Sequence, residues 1–268
     1  MSSPRFVSAS RALVALVFGL AITSACDASS SGADLTEEIS GGNGPFVAGS
    51  GALGAGYEVH EFFAEGTAAA YGPSEGGLTN DGLWTLERTS TAAYRTRIIV
   101  RRPSDPAAAS GTVVVEWLNV SGGVDADAEY ATLAEELVRR GHIWVGVSAQ
   151  RIGVEGGAVL VSTGGLDDLA GKGLKVIDPV RYGSLVHPGD GYAFDMFTQI
   201  ARTLREGGAV LGGVTPDVVI AAGESQSAMA LTTYYNGFQE DAGVFDGFFV
   251  HSRAAFTLPL VAPGEAAD

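Results

Sequence analysis

The chain has 268 residues, 46% hydrophobic and 9% aromatic, enough for one substantial core or two small ones and too apolar for a wholly disordered protein. Lys plus Arg number 16 against 31 Asp plus Glu, a formal net charge of −15 with no basic run to offset it, which excludes nucleic acid as a partner. The single cysteine, Cys26, leaves no intramolecular disulfide, so stability must come from the core.

Residues 1–25 read as an export signal. Arg5 and Arg11 precede an apolar stretch from Ala12 to Ile22, and the small residues Thr23, Ser24 and Ala25 follow it. The stretch is shorter than the roughly 20 apolar residues a membrane span needs. Two processing routes fit: lipidation of Cys26 after cleavage, as in bacterial lipoprotein signals, or an ordinary secretory signal cut after Ala25. Both imply an exported protein, periplasmic or on the cell surface, touching a membrane only through a lipid at Cys26. Ser, Ala and Gly dominate up to Gly44, so 26–44 reads as a flexible tether and 45–268 as the folded domain.

The stretches "YEVHEFFAEGTAAAY" and "YRTRIIVRRP" read as strands. In the second, Tyr94, Thr96, Ile98 and Val100 alternate with Arg95, Arg97 and Arg101, which predicts a partly exposed sheet with a charged face. "TVVVEWLNV" is almost continuously apolar, as in a strand covered on both faces. "DAEYATLAEELVRRG" places Tyr130, Leu133, Leu137 and Val138 on one side of a helix that stops at Gly141. "HIWVGVSAQ" is a second buried strand, and the long Gly-rich stretch 151–190 reads as a functional loop or lid. A helix ("YAFDMFTQIARTLREGG"), a strand ("DVVIAAG"), a helix ("SAMALTTYYNG") and a strand ("FDGFFVHS") complete the order. That alternation predicts an α/β fold, a mostly parallel sheet with helices on both faces.

Several motifs carry no chemistry. Gly49, Gly51 and Gly54 have dinucleotide-fingerprint spacing, but no buried strand precedes them, and "AGKGL" has Gly173 where a phosphate loop needs Ser or Thr. His60, His142, His187 and His251 are scattered, with no metal-ligand spacing, so neither a metal nor any other cofactor is expected. Asn119, Val120 and Ser121 form a glycosylation sequon directly behind a buried strand, where it is discounted.

What remains is "GESQS", Gly223 to Ser227, between a strand and a helix. A nucleophile on such a turn needs small residues two positions to either side, and Gly223 and Ser227 meet this around Ser225. The turn would lift the hydroxyl above the sheet edge and aim the Gln226 N–H at a developing oxyanion. A second N–H would come from the loop in "WLNVSGG", at Asn119, Val120 or Ser121. The competing reading of Ser225 is a plain helix N-cap.

Together, "VVVEWLNVSGG", "WVGVSAQRIGV", "DPVRYGSLVHPGDGYAFDMF", "GESQSA" and "FDGFFVHSR" resemble the bacterial exported "alpha/beta hydrolase domain" family, a branch of the α/β-hydrolases, from about Tyr94 to Arg253. The resemblance implies an α/β-hydrolase fold, Ser225 as nucleophile, Asn119 to Gly123 as the oxyanion segment and a small-molecule acyl substrate, by default an ester. It also implies the chain order serine, acid, histidine. At on the order of 30 residues per further strand and crossover, the acid falls at about residue 280 and the histidine later. The chain is therefore expected to be truncated at its C-terminus and to turn over little. "HSRAAFTLPL" offers no carboxylate after the last strand, and His251 lies too early for the base and reads as strand-end packing. His187, in "HPGD" after the long loop, is the alternative base. The rival class is a non-catalytic, membrane-tethered binding lipoprotein on a hydrolase scaffold.

Overall fold

The computed structural model describes Met1 and residues 31–49, 52–162 and 168–267. Six strands form one sheet: β1 (Tyr57–Pro73), β2 (Leu86–Pro103), β3 (Thr112–Trp117), β4 (Ile143–Val147), β5 (Val218–Glu224) and β6 (Gly247–His251). Their order across the sheet is β1-β2-β4-β3-β5-β6. β1 and β2 pair antiparallel, and so do β2 and β4, with Ile98 opposite Val147. From β4 onward every pair is parallel. The expected mostly parallel sheet is thus present, with an antiparallel ribbon on one side.

The apolar runs explain which strands sit centrally. In β3 and β4 residues Val113 to Trp117 and Ile143 to Val147 are all buried, because helices cover both faces. α1 (Ala128–Arg140) packs Tyr130 and Leu137 on one face, against Trp144 and Val114. It ends at Gly141, whose φ of 71° and N–H bonds to Leu137 O and Val138 O close the last turn. The connection after β4 holds three short helices, α2 (Arg151–Glu155), α3 (Gly173–Ile177) and α4 (Pro179–Tyr182). α5 (Ala193–Glu206) lies on the other face, where Phe194 and Phe197 meet Trp117 at ring distances of 5.4 and 5.1 Å. α6 (Gln226–Gly237) follows β5 on that face, and α7 (Gln239–Ala242) leads to β6.

Three expectations need correction. The tether predicted over 26–44 is folded over 31–44: Leu35 and Ile39 are each 4% exposed, and the segment pairs with the free edge of β1. Ile39 N donates to Glu61 O at 2.8 Å, Phe63 N to Glu37 O at 2.9 Å, and Asp34 and Glu65 exchange both backbone bonds. The domain therefore begins well before Pro45, because a sheet edge can recruit backbone groups whatever the side chains. Residues 1–25 and Cys26 lie outside the described residues.

The charged face predicted for β2 is not solvated. Arg97 is fully buried, donating to Glu61 (2.9 Å), Asp125 (2.7 Å), Ser148 Oγ (2.9 Å) and Phe46 O (3.0 Å), and Arg101 is buried against Asp127 (2.5 Å). Alternation reports two faces but not which face is wet; here both are covered. Finally, β2 starts at Leu86, eight residues before Tyr94, where its alternating Thr, Ser and Ala residues are largely exposed.

β3 contributes one buried carboxylate to the frame of α1. Glu116 Oε1 accepts from Glu129 N (2.9 Å), and Oε2 from Tyr130 N (3.0 Å) and Trp144 Nε1 (2.8 Å). Burial pushes its pKa up to about 8 against these three donors. A carboxyl raised on folding stabilises fully below its unfolded value near 4.5, and that contribution is lost as pH rises through about 8. Thermal unfolding from pH 5 to 9 is expected to show a decline in Tm that is shallower in Glu116→Gln; parallel curves for the two proteins contradict this.

Candidate active site

The site is built where β3, β5 and β6 end together. β5 stops at Glu224, α6 starts at Gln226, and Ser225 alone turns the chain, with φ 55° and ψ −111°. That left-handed backbone is costly for a residue with a Cβ, about 1–3 kcal/mol, and is kept only when the surroundings enforce it. They do so through Ser225 N, which donates to His251 O at 3.0 Å, and Ser225 O, which accepts from Met229 N at 3.1 Å. The tightness of the bend explains the small neighbours: a Cβ at Gly223 would come within 3.0 Å of the Ser227 carbonyl and Cβ. The Ser225 side chain makes no capping bond to α6, so the N-cap geometry is not the one adopted.

The loop after β3 is fastened to this turn. Asn119 Nδ2 donates to Glu224 O at 2.9 Å, and Asn119 Oδ1 accepts from Ser121 N (2.9 Å) and Ser121 Oγ (2.5 Å). Asn119 and Ala126 exchange both backbone bonds at 2.9 Å. The N–H groups of Asn119 and Ser121 are therefore taken up internally. Among the described residues, the N–H groups of Val120 and Gln226 find no acceptor. Gln226 opens a 12-residue helix, whose dipole favours negative charge there.

The connection after β4 closes over the same loop. Leu160 N and Val161 N both donate to Ser121 O at 2.9 Å, and Gly171 N donates to Gly123 O at 3.0 Å. Gly123, at φ 78°, admits no side chain because a Cβ would lie 2.4 Å from Gly171 N. Val159, Leu160 and Val161 are exposed beside it. Residues 163–167 of this stretch lie outside the described residues.

His187 is not brought to Ser225 by any hydrogen bond. It is buried, its Nε2 bonds Ala149 O at 2.8 Å, and its Nδ1 accepts from Gly189 N at 3.2 Å. Burial pushes its pKa down, opposed by neighbouring Asp190. Asp190 in turn accepts from Arg151 N (2.6 Å) and Ala267 N (2.8 Å), so this pair ties the start of α2 to the C-terminal segment.

Near the turn, the sequence reading left His251 as strand-end packing and did not single out Glu129. His251 ends β6 opposite Glu224 in the β5 register, and its Nδ1 lies 3.1 Å from Oε1 of Glu129, in the first turn of α1. Glu129 is fully buried, and burial raises its pKa against the pull of His251. The two are 122 positions apart, so no local spacing could have joined them. Among the described residues no cluster of three His, Cys, Asp or Glu could hold a metal ion, and no helix is long and apolar enough to cross a membrane.

Solved structures that resemble the fold include the rice cell wall degrading esterase LipA from Xanthomonas oryzae, at 15% identity and TM-score 0.33 over 71% of this chain and 40% of that one. Brefeldin A esterase, a bacterial homologue of human hormone sensitive lipase, matches at 12% identity and TM-score 0.36 over 75% of this chain and 41% of that one. Esterase Est22 matches at 13% and 0.36 over 75% of this chain and 45% of its own. This chain thus spans less than half the length of each. Comparison with curated proteins gives no match. The family description "Alpha/beta hydrolase domain" matches residues 32–268, a span that holds the whole sheet, the Ser225 turn and the β3 loop, and on that match the chain belongs to the alpha/beta hydrolase domain family.

Proposed function

We propose that the protein hydrolyses carboxylic esters through Ser225. The observation that carries this reading is the Ser225 turn itself: a strained serine, free of any capping role, flanked by the N–H groups of Val120 and Gln226, which find no acceptor among the described residues. Strain at a serine with no structural duty is what a nucleophile on a strand-to-helix turn requires. Ser225 Oγ would attack the acyl carbon as its proton passes to a histidine. The carbonyl oxygen takes up the displaced electron pair and is held by the two N–H groups, and the alcohol departs with the proton. Water then repeats the sequence on the acyl-enzyme. No cofactor enters these steps. The apolar rim at Val159, Leu160 and Val161 supports an apolar acyl group as the portion bound.

A fluorophosphonate probe tests the reading, because it phosphonylates only an activated serine. Peptide mass spectrometry of the labelled chain is expected to place one adduct on Ser225 and none on Ser225→Ala. An adduct elsewhere, or none, favours a binding protein on a hydrolase scaffold.

A further inference from the structure

We infer that Asn119 is a positioning residue: its carboxamide fixes the distance between the Val120 N–H and Ser225. The inference rests on the hydrolase reading above and deepens it, because it names the group that holds an oxyanion donor and the nucleophile in one frame.

The backbone groups of the loop after β3 occupy one another. Asn119 N donates to Ala126 O, and Asn119 O accepts from Ala126 N, both at 2.9 Å. Val120 O accepts from Gly123 N at 2.8 Å, and Ser121 O accepts from Leu160 N and Val161 N at 2.9 Å. Ser121 N is taken by Asn119 Oδ1 at 2.9 Å. Among the described residues, every backbone group from Asn119 to Ser121 therefore has a partner except the Val120 N–H. Its direction is still fixed, since in a planar trans peptide an Asn119 carbonyl aimed at Ala126 turns the Val120 N–H to the opposite side.

The carboxamide ties this loop to the nucleophile. Asn119 Nδ2 donates at 2.9 Å to Glu224 O, and that carbonyl shares a peptide with Ser225 N, which donates to His251 O at 3.0 Å. The peptide leading into Ser225 is thus gripped from both sides, by Asn119 and by β6. Glu224 O can only accept and the Ser121 N–H can only donate, so the group between them must offer a donor and an acceptor on one rigid plane. A carboxamide does so. Asn119 is 6% exposed, which leaves water little chance to replace either bond.

An oxyanion donor works only at about 2.7–3.1 Å from the developing charge, and a misplacement of about 1 Å can cost about 10²-fold in rate. Without Nδ2 the loop keeps its fastenings at Ala126, Gly123, Leu160 and Val161, and so its fold. It loses its direct bond to the nucleophile turn.

The test compares Asn119→Asp, which keeps the acceptor for Ser121 but sets a second acceptor against Glu224 O, with Asn119→Ala, which removes both bonds. On a short-chain aryl ester each should lower kcat by about 10²-fold with KM within about twofold, and fluorophosphonate labelling of Ser225 should slow by the same factor. A trifluoromethyl ketone, which forms a tetrahedral oxyanion on Ser225, should lose affinity in proportion to kcat/KM. Unchanged kcat and labelling in both variants, or a raised KM with kcat intact, overturn the assignment and leave the hydrolase reading standing; failure of the unaltered chain to label at Ser225 overturns both. Should neither variant fold, NMR of the unaltered chain decides. Phosphonylation of Ser225 must shift the Val120 N–H resonance while the Asn119 carboxamide protons stay protected from exchange, and an unmoved Val120 signal or a freely exchanging carboxamide overturns the proposal.

Discussion

Replacing Ser225 by alanine is expected to lower kcat/KM for short-chain aryl esters by about 10⁶-fold, to the background that binding and the oxyanion donors sustain. The fold should survive, because Ser225 caps nothing with its hydroxyl and its backbone bonds to His251 and Met229 are untouched. Ser225→Gly separates chemistry from strain. Glycine accepts φ 55° freely, so this variant should be equally inactive yet unfold at a higher temperature than Ser225→Ala. Steady-state kinetics and thermal unfolding on the three proteins check both halves. An alanine variant retaining more than about a tenth of the activity is incompatible with the proposed nucleophile.

The largest effect on stability is expected at Arg97. Its guanidinium joins Glu61, Asp125 and Ser148, and Glu61 also receives Arg181 Nε at 2.6 Å and the Tyr182 hydroxyl at 2.9 Å. Arg97→Met keeps the bulk but leaves the buried Asp125 without its cation and Glu61 with Arg181 alone, which should cost about 3–5 kcal/mol. Arg97→Lys should recover little, because one ammonium cannot reproduce the planar fork that meets Glu61 and Asp125 together. The double change Arg97→Met with Asp125→Leu should cost less than the sum of its parts, since the stranded charge is removed with its partner. Urea unfolding measures all of these; an Arg97→Met midpoint close to wild type would show that the cluster relaxes or admits water.

The central frame was legible in the chain because β-branched runs such as Val113 to Val115 and Val218 to Ile220 have few other uses. The bend at Ser225 was legible for a related reason: close passage of strand and helix leaves a mark in the small residues at 223 and 227. The rest depended on tertiary partners. Alternation in β2 could not reveal that Glu61, Asp125 and Asp127 lie waiting on the face that carries Arg97 and Arg101. Composition made 31–44 look like coil, although two apolar side chains and a free sheet edge suffice to fasten it. Asn119 and Ser121 were sensible oxyanion donors until the Asn119 side chain turned out to consume one of those amides and anchor the loop to Glu224. Glu129 and His251 became partners only once α1 and β6 were placed.

The fastening of the N-terminal segment also governs reach. Ala33 N bonds Gln199 O at 3.1 Å and Ala33 O accepts from Thr203 Oγ1 at 2.7 Å, so the chain is pinned to α5 seven residues after Cys26. Seven extended residues span at most about 25 Å. Were Cys26 to carry an acyl group, that reach would keep the folded body close to the bilayer surface.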